Sequence, residues 1–372
     1  MHRSAVVSGL CPVVSFERVF CMRLLKSSAA IAAAVSLVLA AGAQVASAAE
    51  TVLRFATINA EETPAYKNVL EPFARKVGTD SGDRIEVALK PLGGYGKPAE
   101  LFAMVERGDI EIAATVQGYS PGRFPQSSVM ELPLMYETAT GGTQAMWKMY
   151  QEGLFDKDYA SVKVLGLYVL PPYGIFSAAK PFEKLRDLRG MRVRTPSPTV
   201  GMALARLGMI PVGVPVNLIG NVLDAGTVDA ITYGWDSLMT TAGAGNKKLS
   251  EQVKILVDAK FAAPALMVVM NKAKWDAMPA DIQAVIERHA VDLTLGNARL
   301  RDEAEQATRE RLRTDPNYTY VALTPPVRAE MEAAIQPAVA DWKAAMVRQG
   351  LDGERLYARA RELVQQFHTA SR

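Results

Sequence analysis

The 372-residue chain carries 42 Lys and Arg, 39 Asp and Glu, 3 His and 2 Cys, and 49% of it is apolar. That length exceeds one ordinary compact domain and suits two lobes with ample core, and the apolar fraction excludes a disordered chain.

The first 48 residues read as a leader. Met22-Arg23-Leu24-Leu25-Lys26 is a short basic head, Ala29 to Ala41 an apolar run, and Ala46-Ser47-Ala48 a small-x-small cleavage site. This is the pattern of a secretory signal peptide, too short in its apolar run to anchor a membrane. Residues 1–21 precede the basic head, so Met22 is the expected start. Cleavage after Ala48 leaves 38 basic and 38 acidic side chains, no cysteine, and only His289 and His368. A neutral chain has no electrostatic footprint for nucleic acid or an anionic membrane. Disulfides, thiol catalysis and Cys-ligated metals are excluded, and a His-rich zinc site or Ser-His-Asp triad is disfavoured. No metal or other cofactor is expected. No later stretch of 18 apolar residues occurs, so stable membrane insertion is not expected and a periplasmic location is.

The mature chain opens with Val52–Ile58 as a strand, then Thr63-Pro64 as a helix start, with Pro72 implying a kink and Gly78 a stop. Alternation at Ile85, Val87 and Leu89 predicts a strand. A helix over Pro98–Arg107 closes at Gly108, and Ile110–Thr115 is a third strand. This β-α-β-α-β order predicts a parallel or mixed α/β sheet. A second set follows: strands at Val162–Leu170, Met191–Thr195, Ile210–Val214 and Val228–Tyr233, with helices at Pro198–Leu207 and Val216–Ala225. Ala265–Met270 is a further strand. Pro279–Arg313 reads as one helix of roughly 50 Å, long enough to brace two lobes, with two helices broken near Gly296 as the alternative. The tail from Thr324 to Phe367 is helical, with breaks at Pro337 and Gly350.

Gly93-Gly94-Tyr95-Gly96-Lys97 imitates a phosphate loop, but Pro91 and Pro98 stand where glycine and Ser/Thr are required, so a plain turn is the better reading. Arg192 and Arg194 share one face of a short strand, with Arg194 at its carboxyl end, where open α/β sheets bind ligands. A guanidinium there holds a carboxylate or forms a structural ion pair. Tyr233 and Trp235 sit at another carboxyl edge, and Gln117 and Tyr119 follow the Ile110 strand; each walls a pocket or packs the core. No nucleophile–base constellation is visible, which argues against an enzyme.

Three blocks carry a resemblance that spans residues 50–372: Gly118-Tyr119-Ser120-Pro121-Gly122-Arg123-Phe124-Pro125 running into Glu131-Leu132-Pro133; Leu188-Arg189-Gly190-Met191-Arg192-Val193-Arg194-Thr195-Pro196; and Leu207-Gly208-Met209-Ile210-Pro211-Val212 through Leu223-Asp224-Ala225-Gly226-Thr227-Val228-Asp229. In these the chain resembles the extracytoplasmic substrate-binding proteins of TRAP transporters, the family named for C4-dicarboxylate uptake. The resemblance implies an α/β periplasmic binding protein of two lobes, joined by hinge strands, with a long helix under both. The lobes would comprise 49–172 with 263–315, and 173–262 with 316–372. It implies capture of a small organic carboxylate between the lobes and delivery to the membrane permease subunits. Arg194 takes the position that pairs with the ligand carboxylate, Ser197 that of a polar contact, and Tyr233 a contact position that is Asn in the sialic-acid branch. A second cleft arginine of that branch falls near Tyr173-Gly174, and another charged position at Tyr119. The implied cleft is aromatic, with Tyr119, Tyr173, Tyr233 and Trp235, and suits a carboxylate with an apolar or aromatic body. A binding protein of an ATP-driven importer and a periplasmic sensor are the alternatives.

Overall fold

The computed structural model describes residues 51–370 except 179–183 and 246. The leader, with Cys11 and Cys21, lies outside the described residues.

In chain order, strand β1 (Thr51–Thr57) leads into a helix whose first turn, Tyr66–Leu70, is π-wound before α1 (Glu71–Asp80). The expected kink at Pro72 is thus absorbed by wider winding, in which the Glu71 N–H donates to the Tyr66 carbonyl, five residues back. Next come β2 (Ile85–Lys90), α2 (Leu101–Arg107), β3 (Ile112–Val116), α3 (Ala139–Gln151) and β4 (Val162–Val169). Gly108 ends α2 at φ 80°, a left-handed stop that favours glycine. Then follow β5 (Gly174–Ser177), β6 (Arg192–Thr195), α4 (Pro198–Arg206), β7 (Ile210–Gly213), α5 (Ile219–Asp224), β8 (Ala230–Tyr233), α6 (Trp235–Thr240), β9 (Ile255–Asp258) and β10 (Ala265–Asn271). Helices α7 (Ala280–Val291) and α8 (Asn297–Arg313) precede β11 (Thr319–Ala322), α9 (Pro325–Ile335), α10 (Pro337–Arg348) and α11 (Gly353–Ala370).

The strands form two mixed sheets. The first has the order β2-β1-β3-β10-β4, and the second β11-β9-β5-β8-β6-β7. β1, β2 and β3 run parallel, and β10 runs antiparallel to β3 and β4. In the second sheet β6 is parallel to β7 and β8, while β5 is antiparallel to β8 and β9. The chain crosses between sheets through Leu170–Tyr173, which carries Pro171-Pro172, and returns through Ala259–Pro264. This is the two-lobe α/β architecture, with the sheets as lobe centres.

The long helix is continuous. α7 and α8 are joined by a π-wound turn, Asp292–Gly296, so Gly296 marks a widening and not a break. Leu293 and Thr294 of that turn are buried, and a Cβ on Gly166 of β4 would stand 2.5 Å from the Thr294 methyl, so the helix lies close on the first sheet. Two carboxylates three residues apart tie this helix to both lobes. Asp302 accepts the Ala139 and Thr140 N–H groups at the start of α3, at 2.7 and 2.8 Å. Glu305 accepts the Trp235 N–H at the start of α6, at 2.8 Å. The free N–H groups of a helix start favour such anionic partners.

One boundary differs from the sequence reading, which put all of 316–372 in the second lobe. β11 does extend the second sheet, but α11 packs on α3 of the first lobe. Its apolar stripe, Leu356, Ala360 and Leu363, is buried in one cluster with Met146, Met149 and Phe155. Amphipathicity predicted a packed helix but not the lobe that would receive it.

Candidate functional site

Between the lobes lies a cavity of about 160 Å³ whose walls include Asn59 and Thr63 from the first lobe, Arg194, Tyr233 and Ser237 from the second, and Arg301 from the long helix. No acidic side chain among the described residues lines it. A void of about 150 Å³ takes up one benzene ring, so the space suits a monocyclic molecule.

Arg194 dominates its chemistry. It leaves the carboxyl end of β6 and is only 1% exposed. Its Nε donates to the Val214 carbonyl at 2.8 Å and Nη1 to the Thr232 carbonyl at 3.3 Å. Nη2 reaches the Tyr119 hydroxyl at 3.3 Å. Backbone carbonyls thus aim the fork, yet no carboxylate pairs with it among the described residues. Arg192, two residues earlier, takes the ion-pair course: it is exposed and bound to Asp229 at 2.9–3.2 Å. The register is the same, but only Arg194 reaches the interlobe space.

Tyr119 crosses the cleft from the loop after β3. Its hydroxyl accepts the Val216 N–H at 2.9 Å besides meeting Arg194. Burial raises its pKa, and nearby Arg194 opposes the rise. Tyr173 and Tyr233 pack with ring centroids 5.9 Å apart, and the Arg194 guanidinium carbon lies 5.8 Å from the Tyr233 ring. Burial pushes the Tyr233 phenol up to about 12, so it stays neutral. Arg194, Tyr119, Tyr173 and Tyr233 therefore stand together on the cavity wall.

Trp235, Ser197 and Gln117 do not line it. Trp235 is fully buried behind the wall, edge-on to Phe176 and tilted against Tyr320, with ring centroids 4.8 and 5.5 Å away. Ser197 caps α4, accepting the Val200 N–H at 3.2 Å. Gln117 is buried in the first lobe between Tyr159 and Ser127, at 2.5 and 3.0 Å. A strand's carboxyl edge locates a backbone, but the next residue or two turn the side chains into the core or onto a helix start.

The sequence reading assigned no arginine to the cleft besides Arg194. Arg301 corrects this. It is 7% exposed and lines the cavity, with Nη1 on Asp236 at 2.8 Å and on Ser237 at 3.0 Å, and Nη2 on Asn59 at 3.3 Å. Its charge is answered by buried Asp236. Among the described residues, the one unanswered charge on the cavity wall is that of Arg194.

The lobes also touch beside the cavity. A Cβ on Gly118 would lie 2.6 Å from the Pro196 carbonyl oxygen and would overlap Ser197. Nearby, Glu131 is 2% exposed, accepts the Ala265 N–H at 2.9 Å and lies close to the Ser197 side chain of the other lobe. Burial pushes its carboxyl up to about 7.

The family model for bacterial extracellular solute-binding protein, family 7, matches residues 55–345. The chain belongs to that family. A marine metagenome TRAP solute-binding protein crystallised with 3-hydroxybenzoate is 30% identical, with TM-score 0.77 over 86% of this chain and 99% of that one. A TRAP solute-binding protein from Rhodoferax ferrireducens T118, in complex with copurified benzoate, is 27% identical, with TM-score 0.77 over 87% of this chain and all of that one. The C4-dicarboxylate-binding periplasmic protein of Rhodobacter capsulatus is 23% identical over 77% of this chain and 84% of its own length. This family member is a TRAP-type substrate-binding subunit for a small organic acid. No helix among the described residues is long and apolar enough to cross a membrane.

Gly118→Ala is expected to leave the fold intact while opposing lobe contact. Overpacking of this kind costs about 1–3 kcal/mol, so ligand affinity should fall about 5- to 150-fold with little change in ligand-free melting. Unchanged affinity by calorimetry contradicts the role given to this contact. Glu131 titrates higher folded, at about 7, than its ordinary 4.5. The folded protein therefore holds the extra proton between those values, and the associated stability is full below 4.5 and lost as pH rises through 7. Asp158, pushed up to about 6 by burial, acts in the same direction. Glu131→Gln should flatten this decline by on the order of 2–3 kcal/mol in urea unfolding between pH 4.5 and 8. An unaltered pH slope contradicts the assignment.

Proposed function

We propose that the chain is the periplasmic receptor of a TRAP transporter for a small aromatic monocarboxylate, which it hands to the membrane permease subunits. The observation that carries this reading is the buried Arg194, uncompensated by any carboxylate among the described residues, at a tyrosine-walled cavity the size of one ring. The benzoate and 3-hydroxybenzoate complexes of its structural relatives support the same ligand class.

The physics is a clamp. The ligand carboxylate meets the guanidinium in a charge-assisted hydrogen bond, strengthened by exclusion of water. Tyr119 donates its hydroxyl proton toward the carboxylate or accepts from Arg194, and so ties ligand seating to contact between the lobes. Tyr173 and Tyr233 bury the ring at roughly 25 cal/mol per Å² of apolar surface. Because Arg194 and Tyr119 belong to different lobes, the ligand binds the closed form more tightly and shifts the population toward it. The closed form is the one that the permease recognises in this scheme.

Arg194→Met tests the clamp. Truncating one partner of a buried charge pair costs about 2–5 kcal/mol, so benzoate affinity should fall at least about 30-fold in calorimetry while the far-ultraviolet spectrum is retained. A folded variant that binds benzoate as the wild type does refutes it.

A further inference from the structure

The Arg301 guanidinium is not fully engaged. It has five N–H donors, and its Nε and Nη2 donors together form one flat edge. Nη1 is taken up by Asp236 and Ser237, whereas Nη2 has only Asn59 at 3.3 Å. Nε is buried and has no acceptor among the described residues. A buried donor without a partner costs about 1–3 kcal/mol, which makes such a group a candidate for an acceptor that arrives from outside the chain. Arg301 and two of its partners, Asn59 and Ser237, all line the cavity, which is where such an acceptor would come from.

The charge balance decides what kind of acceptor. Asp236 is 6% exposed and lies against the guanidinium, so the pair is neutral as a unit. A second carboxylate at this edge would face Asp236, and a like charge disfavours it. A neutral oxygen meets no such opposition.

We infer that Arg301 is a specificity-determining residue which reads a neutral oxygen substituent, a hydroxyl or carbonyl, on the body of an aromatic acid whose carboxylate is held by Arg194. The inference rests on the proposed carboxylate receptor function and narrows its substrate class to oxygenated monocyclic monocarboxylates. The substituent's oxygen accepts the Arg301 N–H. The methyl group of an otherwise similar acid fills the same space and leaves the donor unpaired.

The test is calorimetry with the 2-, 3- and 4-hydroxybenzoates against the corresponding methylbenzoates and benzoate. At least one hydroxy isomer should bind the wild type about 10- to 100-fold more tightly than its methyl counterpart, the range set by a hydrogen bond to a charged group. Arg301→Lys keeps a positive charge opposite Asp236 but loses the flat edge, and should bring that ratio to within about threefold. If this variant does not fold, Arg301→Met combined with Asp236→Asn removes both charges and should have the same effect on the ratio. A ratio that persists in a folded variant overturns the inference. So does a wild type that binds benzoate but favours no hydroxy isomer, while leaving the carboxylate receptor function in place. A wild type that binds none of these acids overturns both.

Discussion

A guanidinium taken out of water without a carboxylate beside it is the constraint around which this molecule is arranged. Arg194 is as buried as the core aliphatics, and its hydrogen-bond partners are two backbone carbonyls and one phenol. Dipoles soften the loss of hydration but do not cancel the charge. The polar groups at the ends of β6, β7 and β8 therefore set both the direction of the fork and the need for an anion. Arg192, one strand pitch away, shows what an arginine does when it carries no such constraint: it pairs with Asp229 at the surface.

The rest of the fold brings two lobes to that charge and lets them part. The lobes share crossing segments, one containing Pro171-Pro172, and a continuous helix from Ala280 to Arg313. Asp302 and Glu305 anchor that helix to the start of one helix in each lobe. At the cleft the lobes meet through the Tyr119 hydroxyl on the Val216 N–H, the approach of Glu131 to Ser197, and bare glycine at Gly118 against Pro196.

Much of this was legible in the chain. The strand–helix alternation, the left-handed stop at Gly108, and the helix breaks at Pro337 and Gly350 rest on local chemistry and hold, whereas the stop expected at Gly78 does not, since α1 runs on to Asp80. The strands β5, β9 and β11 did not show, whereas β6, β7 and β8, just as short, were marked by the helices and glycines that alternate with them. Helix α3 was hidden by Gly141-Gly142, poor helix formers of which Gly142 is buried against Tyr136 and Val169. In the site, Arg194 stood out because an arginine in a central strand demands an explanation. Arg301 did not, since it lies among other charged residues on a polar helix, and its burial comes only from the two lobes that meet over it. The one available sign was the length of that helix, which implied that part of its polar surface must be covered. Trp235 and Gln117 stand at strand ends and Ser197 at the position that the resemblance implied, but backbone position does not settle where a side chain points.

The count of charges at the cleft is the centre of the account, and ligand valence tests it most directly. Calorimetry of the wild-type protein should compare benzoate with phthalate isomers and with succinate at one pH and ionic strength. One unanswered guanidinium and a neutralised Arg301–Asp236 pair predict that the monoacid binds at least about 100-fold more tightly than any of the diacids, since a second carboxylate would be buried without a partner. A dicarboxylate that binds as tightly as benzoate, or more tightly, would contradict that count.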